Sequence, residues 1–578
     1  MHSNYTSKKN IQILIAALKA YNIRKVIASP GTTNVMFVAS IQNDPWFQIF
    51  SAIDERSAAY MACGMAYESG EPVVLTCTGA TASRNYMSGL TEAYYRNLPI
   101  IAITSMMGDE LPNNNAPQII DRSVVPKDVV KLSVTINDIY SNEDLVNTRL
   151  LINKAFLALT RDGGGPVHIN LLSKFSYDFS VRDLPEFKKI EKYHYDDEVP
   201  NINEGNRVAI FVGVHKKWDN DLTELVEAFC REYNAFVITD HTSGYKGMYS
   251  IKSAIMASQE QVKYDSYIID ILIDLGEISG DYYNLSCKEV WRVSPDGEVK
   301  DRFHKLSKVF EMSEMSFFKK YVSNDRNRCT LSNYHLFKSK IDELRNNIPE
   351  LPFSNIWISQ QLSASLPKNS QIHFGILNSL RSWNFFDIDN SISSICNVGG
   401  FGIDGCLSSA VGASLIDSKK ICFCILGDLS FFYDMNSIGN RHIKNNLRIL
   451  LINNGKGTEF KHYSHPGSMF GSDSDSFIAG GGHFGNKSSS LVSDYATNLG
   501  FKYISANSKD EFLKKKDYFI SSKLTDSPIV FEVFTESDDE SQALQVIRNI
   551  EKGPYLKKVI KSALGINNIT KVKSILKG

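Results

Sequence analysis

No two cysteines of this chain stand in a Cys-x-x-Cys spacing, and their number, nine, is odd. That argues against a disulfide framework and against a structural zinc site. Cys422 and Cys424, two apart in an apolar run, read as small core residues on one face. An excess of charge is missing too. The 63 Lys and Arg against 64 Asp and Glu leave a formal charge of −1, so the overall electrostatics make no case for nucleic acid. No apolar run has bilayer-spanning length, and the opening MHSNYTSKKN lacks the apolar core of a signal peptide, so a cytoplasmic protein is expected.

What is present is an ordinary globular composition, 43% hydrophobic and 22% charged, in 578 residues. That length suggests about three or four domains. Ile11, Leu14, Ile15 and Leu18 recur at helical spacing ahead of KVIAS (25–29), a short strand ending at Pro30-Gly31. VVLTCT (73–78), IIAIT (100–104) and VHINLL (167–172) then alternate with helical stretches, which implies a parallel sheet covered by helices. The charged stretch 183–206 has no apolar period and reads as a linker. RVAIFVGVH (207–215), FVITD (236–240) and YIIDILIDLG (267–276) make a second α/β unit. It lacks GxGxxG at its first turn, which speaks against a dinucleotide there. A polar segment from 323 begins another linker, and a third α/β unit follows. The expected organisation is α/β, with three doubly wound parallel-sheet domains at 1–182, 207–322 and 355–552, linkers at 183–206 and 323–354, and a basic tail at 553–578. The tail reads as solvated helix rather than a binding arm.

The richest stretch runs from Gly427-Asp428-Leu429-Ser430 to Asn453-Asn454. ICFCIL (421–426) before it and LRILLI (447–452) within it are buried-strand runs joined by a helix-sized segment. Asp428 and Asn454 should therefore stand at the carboxyl ends of two strands of one sheet, where α/β folds bind ligands. A carboxylate and an amide oxygen there suit Mg2+ bridging a diphosphate, because that ion takes few protein carboxylates and leaves other positions to phosphate and water.

Gly-Asp followed at this distance by Asn-Asn resembles the cofactor anchor of thiamine-diphosphate-dependent enzymes, whose outer domains bind the pyrimidine and the diphosphate. The resemblance implies a metal set of Asp428, Asn454 and the Lys456 carbonyl, with Gly427, Leu429 and Ser430 around the diphosphate. Asp54-Glu55-Arg56, leading into a helix with Ala58, Ala59, Ala62, Gly64 and Ala66, carries it further. By itself Glu55 is a first-turn acid favoured by the helix dipole. In the resemblance it shares a proton with N1′ of the aminopyrimidine, favouring the tautomer that removes the C2 proton. The small residues suit a tight subunit interface, and a homodimer (or a tetramer made of two such dimers) with active sites at that interface is implied.

Further matches place Pro30, Thr78, Gly79 and Asn85 on the cofactor, Asn85 opening a helix, and Gln118 at the reaction centre, although Gln118 also reads as a surface residue. NVGGFGIDG (397–405) and Asn378-Ser379-Leu380 resemble one branch, the menaquinone-pathway synthase. There Gly402 and Ile403 would hold the cofactor bent, and Asn378 and Ser379 would lie over the diphosphate. The match fails at the substrate. Thr32-Thr33-Asn34, Val398 and Trp383 stand where that branch has a Ser-Arg-Ser turn and two arginines, and none of them pairs bidentately with a carboxylate. Arg381 lies close to one lost position. The Gly-, Ser- and His-rich insert 461–488 reads as an irregular lid. Around it Glu459, His462, His465 and His483 are acid–base candidates, and Lys487 and Arg441 candidate anion contacts. Phe460 occupies the place of a decarboxylase glutamate, with Glu459 one residue away.

The implied activity is decarboxylation of a 2-oxo acid, with Mg2+ and thiamine diphosphate, and transfer of the acyl carbanion to an acceptor carbonyl or alkene in a specialised biosynthetic pathway. The alternatives are a simple decarboxylase releasing an aldehyde, and an inactive cofactor-binding regulatory subunit. Oxidation through a bound flavin is disfavoured by the plain central unit.

Overall fold

The computed structural model describes residues 4–107, 115, 117–122, 125–260, 264–281, 285–323, 330–483 and 488–552. Lys487 and the basic tail lie outside the described residues. The chain divides into two compact units, Met1–Val199 with Glu289–Ser313, and Pro200–Lys288 with Glu314–Gly578. The strands make three all-parallel sheets with helical crossovers, so the expected α/β architecture is present.

In the first unit β1 (Lys25–Ala28), β2 (Gln48–Ser51), β3 (Val73–Thr78), β4 (Ile100–Met106), β5 (Leu132–Ile136) and β6 (Val167–Leu172) form a sheet in the order β2-β1-β3-β4-β6-β5. Strands β3 and β4 are buried on both faces, which is why they read as unbroken apolar runs. The same unit holds β7 (Glu191–His194), which pairs in parallel with the strand Leu306–Glu311. Strand β7 falls inside the stretch 183–206, which therefore is not all linker. Its exposed and half-buried EKYH gives no period-2 apolar signal.

The second unit contains β8 (Val208–Val212), β9 (Phe236–Thr239), β10 (Ser250–Ile251) and β11 (Ile269–Leu275), paired in the order β10-β9-β8-β11. Further along the chain come β12 (Cys287–Val293) and β13 (Leu306–Glu311), the partner of β7. A fifteen-residue helix, Ser332–Asn346, occupies much of the second polar stretch. The last sheet comprises β14 (Gln371–Phe374), β15 (Ser393–Cys396), β16 (Cys422–Gly427), β17 (Leu447–Asn453), β18 (Lys502–Ala506) and β19 (Ile529–Phe534). Its order is β15-β14-β16-β17-β19-β18. Counted from its own first strand this is 2-1-3-4-6-5, the order of the first sheet, so the two outer sheets share one topology.

The helix Glu55–Ser69 is capped by Asp54, whose carboxylate accepts from Arg56 N at 2.9 Å and Ser57 N at 3.4 Å, and it stops at Gly70 with φ of +66°. Its small residues have a different use from the one expected. Ala58, Ala59 and Ala62 are buried, and a Cβ on Gly89 of helix Met87–Tyr95 would fall 2.5 Å from the Ala59 Cβ. The alanines thus let two helices of one unit meet closely. The opposite side exposes Ile53, Tyr60, Met61 and Tyr67.

Candidate active site

In each outer sheet the first and third strands are neighbours whose crossovers leave in opposite directions, which opens a crevice at their carboxyl ends. In the last sheet those strands are β14 and β16. Gly427 closes β16 and Asp428 opens the helix Asp428–Asp434. On the other side β17 ends at Asn453, with Gly427 in register with Ile452, so Asn454 emerges beside Asp428. The two motif residues are brought together as expected.

Asp428 is 4% exposed; its carboxylate accepts from Leu429 N at 2.8 Å and from Gly455 N at 2.7 Å. Burial nevertheless pushes its carboxyl up to about 6. The paired asparagines diverge. Asn453 turns into the core and donates to Glu532 Oε1 at 2.6 Å, whereas the buried Asn454 Oδ1 has no hydrogen-bond partner. An orphaned amide oxygen beside a buried carboxylate is what a hard, oxygen-seeking cation would satisfy. Among the described residues no group of three His, Cys, Asp or Glu side chains offers a softer cage. The oxygen donors of Asp428 and Asn454 therefore fit a hard divalent cation such as Mg2+.

These residues line a cavity of about 200 Å³ together with Leu377, Asn378, Ser379, Ile403, Leu429 and Ser430. Ser430 Oγ donates to Ile403 O at 2.7 Å, fastening the apolar side chain's backbone to the motif helix. Gly402 stays in the preceding turn and Ile403 lines the cavity. Leu377, with φ of +65°, holds a left-handed conformation costly for a non-glycine residue and aims Asn378 and Ser379 at the cavity.

Of the acid–base candidates only Glu459 lines this cavity. Arg381 Nη1 donates to Glu459 Oε1 at 2.7 Å, and the Asn378 amide donates to Oε2 at 2.6 Å while accepting from Glu459 N at 3.1 Å. Buried His462 lies 3.7 Å from Glu459, and desolvation pushes its imidazole down to about 4, so it is neutral at pH 7. His465 Nδ1 accepts from Gly467 N as a cap. The expected irregular insert is built, through residue 483, of short turns pinned by Asp475, which takes Lys456 and Lys461 at 2.7 Å each. Arg441 is exposed beside His442.

Two lining residues have no signal in the sequence. Glu540 accepts from Asn355 N at 2.9 Å and Thr535 Oγ1 at 2.8 Å, and desolvation pushes it up to about 7; the Asn355 Oδ1 is buried without a partner. They are 185 residues apart, and helix Ser537–Arg548 shows no motif.

In the first sheet the crevice lies between β1 and β3, with Pro30 after one and Thr78-Gly79 closing the other. Thr33 Oγ1 meets Thr78 Oγ1 at 2.5 Å and Ser105 O at 2.6 Å, so the turn that replaces Ser-Arg-Ser braces the β3 end. Glu55 Oε2 accepts from Asn85 Nδ2 at 3.3 Å. Asn85 ends the short helix Thr81–Asn85 instead of opening the next one, which begins at Met87, because Ala80 with φ of +59° starts a separate turn. Gln118 is exposed with φ of +65°. Val398 and Trp383, at the lost arginine positions, are buried at 1% and 0% exposure, so those places are core.

Twin parallel sheets, each with a motif turn closing its third strand, and a carboxylate–amide anchor define a diphosphate-cofactor enzyme. Residues 9–124 match the thiamine pyrophosphate enzyme N-terminal TPP binding domain. The chain is 30% identical over 567 residues to a 2-succinyl-5-enolpyruvyl-6-hydroxy-3-cyclohexene-1-carboxylate synthase of Bacteroides fragilis, covering 94% of this chain and 98% of that protein. The corresponding Bacteroides thetaiotaomicron synthase is 30% identical over 565 residues at the same coverage. A solved structure, the Rhodococcus jostii RHA1 thiamine diphosphate-dependent 4-hydroxybenzoylformate decarboxylase, aligns with 92% of this chain and 100% of its own at 16% identity and a TM-score of 0.39, too loose a likeness to bear on the fold. The chain belongs to the thiamine pyrophosphate enzyme family and is a thiamine-diphosphate-dependent enzyme.

Proposed function

We propose that this protein decarboxylates a 2-oxo acid and transfers the resulting acyl carbanion to an acceptor carbonyl or alkene, with Mg2+ anchoring the cofactor. The observation that carries this reading is the unpartnered Asn454 Oδ1 beside Asp428 in the cavity. When bound, thiamine diphosphate supplies the carbon nucleophile and the electron sink for CO2 loss. The chain's own residues bind and orient it. Asp428, Asn454 and the Lys456 carbonyl would hold the ion on the diphosphate, and Asn378, Ser379, Leu429 and Ser430 would border it. Ile403 would press on the bend of the cofactor, and Pro30, Thr78, Gly79 and Asn85 would frame the pyrimidine. Glu55, oriented by Asn85, would hold the proton shared with N1′. Glu459, fixed by Arg381 and Asn378, would move a proton at the reacting carbon, with Gln118 near it.

Both relatives named above are synthases, which favours ligation over release of an aldehyde. The homodimer reading is supported by the exposed Ile53, Tyr60, Met61 and Tyr67 around the helix of Glu55, an apolar face suited to a second copy. A working place in the cytoplasm accords with the finding that no helix among the described residues is long and apolar enough to cross a membrane. The test is CO2 release from a panel of 2-oxo acids with thiamine diphosphate and Mg2+, with and without aldehyde, ketone and enoate acceptors. Release accelerated by an acceptor supports the carboligase; release that ignores every acceptor makes it a simple decarboxylase, and none at all refutes the reading.

A further inference from the structure

Arg122 is 5% exposed, yet Nε, Nη1 and Nη2 all lack a hydrogen-bond partner. A buried guanidinium with all three nitrogens unpartnered is among the least tolerable groups in a protein interior. Among the described residues no carboxylate pairs with it. The Cys77 thiol is pushed up to about 12 by burial, and the Tyr86 phenol is pushed up likewise, so both are neutral at pH 7. His168 pairs Nε2 with Thr104 Oγ1 and Nδ1 with Ser133 Oγ at 2.8 Å each, and desolvation holds its imidazole down at about 4. The other charge on the cavity wall is a second cation, Arg84, whose Nη2 donates to Asp121 O at 2.8 Å.

Arg122 lines a small cavity whose free volume is about 30 Å³, walled otherwise by apolar atoms of Met87, Leu90, Val125 and Val129. That is room for a carboxylate head group and little more. The cavity backs onto the crevice of the first sheet, since a Cβ on Gly79 would lie 3.0 Å from Arg122 Nη1. Planar, forked donors match a carboxylate better than a spherical anion.

We propose that Arg122 forms a carboxylate-binding subsite behind the Thr78-Gly79 turn, taking a carboxylate that the substrate keeps through the reaction. The carboxylate lost as CO2 is excluded by electrostatics. Pairing it with a guanidinium stabilises the charged ground state against charge departure and so opposes decarboxylation. Arg122 thereby supplies the guanidinium missing at Val398 and Trp383. The link to substrate rests on the proposed function, whereas the binding site does not.

The test needs no turnover. Butyrate and its neutral isostere butyramide are titrated calorimetrically into the wild type, Arg122→Gln and Arg122→Lys, and thiamine diphosphate with Mg2+ is titrated in parallel. The wild type should bind butyrate about tenfold to a hundredfold more tightly than butyramide. Arg122→Gln should abolish that preference and Arg122→Lys should keep part of it, with cofactor affinity unchanged in both. Because an unpaired buried charge is removed, Arg122→Gln should melt no lower than the wild type. The subsite is refuted if the wild type fails to prefer butyrate or if Arg122→Gln retains the preference. A failure of cofactor binding in the wild type would instead strike the proposed function.

Discussion

Arg381 clamps Glu459: Nη1 donates to Oε1 at 2.7 Å, while the Asn378 amide takes the other carboxylate oxygen and the backbone N–H. The guanidinium nearest the lost arginine positions is thus committed to a protein carboxylate. Both side chains are 22% exposed, so the pair contributes only about 1 kcal/mol. A double-mutant cycle with Arg381→Met and Glu459→Gln, read by chemical denaturation, should return a coupling of that size. Glu459→Gln should also slow turnover by about a hundredfold while thiamine diphosphate affinity stays put.

Glu55→Gln should fold, dimerise and bind the cofactor normally, yet exchange of the cofactor's C2 proton with deuterium should slow by about a hundredfold or more. Quenched-flow exchange followed by proton NMR reads this directly. Wild-type exchange in the variant would remove Glu55 from the role assigned to it.

The pH dependence follows from burial. Asp428 titrates near 6 in the fold against an ordinary value of 3.8, and Glu540 near 7 against 4.5. Each therefore binds its proton more tightly folded than unfolded, so stability is greatest below the ordinary values and is lost as pH rises through about 4 to 7. For Asp428 alone the loss is on the order of 3 kcal/mol. Mg2+ and thiamine diphosphate bound as proposed would need the ionised carboxylate and would relieve that loss. The rise in melting temperature they produce should be larger at pH 7.5 than at pH 5, and chelation should abolish it.

Gly89→Ala puts a methyl group 2.5 Å from the Ala59 Cβ and 2.9 Å from its carbonyl carbon. Neither neighbour can rotate away, so the variant should lose about 1–3 kcal/mol. Urea denaturation checks this; a neutral result would mean that the two helices part easily.

The strands flanking the motif were legible because β16 and β17 are buried on nearly every residue, which leaves runs such as CFCILG and LRILLIN. Asp428 and Asn454 followed from strand ends alone. Strand β7 was invisible because an exposed edge needs no apolar pattern. The alanine-rich helix suits a subunit interface in sequence, since close packing looks the same whether the partner helix belongs to the same chain or to another. Glu540 and Arg122 escaped for another reason: what makes them unusual is desolvation by residues far along the chain, which no local spacing encodes.

The most direct measurement is calorimetric binding of thiamine diphosphate to the wild type and to Asp428→Asn, each with and without Mg2+. The account predicts tight binding only for the wild type with the ion present, and at least about a hundredfold loss in Asp428→Asn. Binding to Asp428→Asn as tight as to the wild type would contradict it.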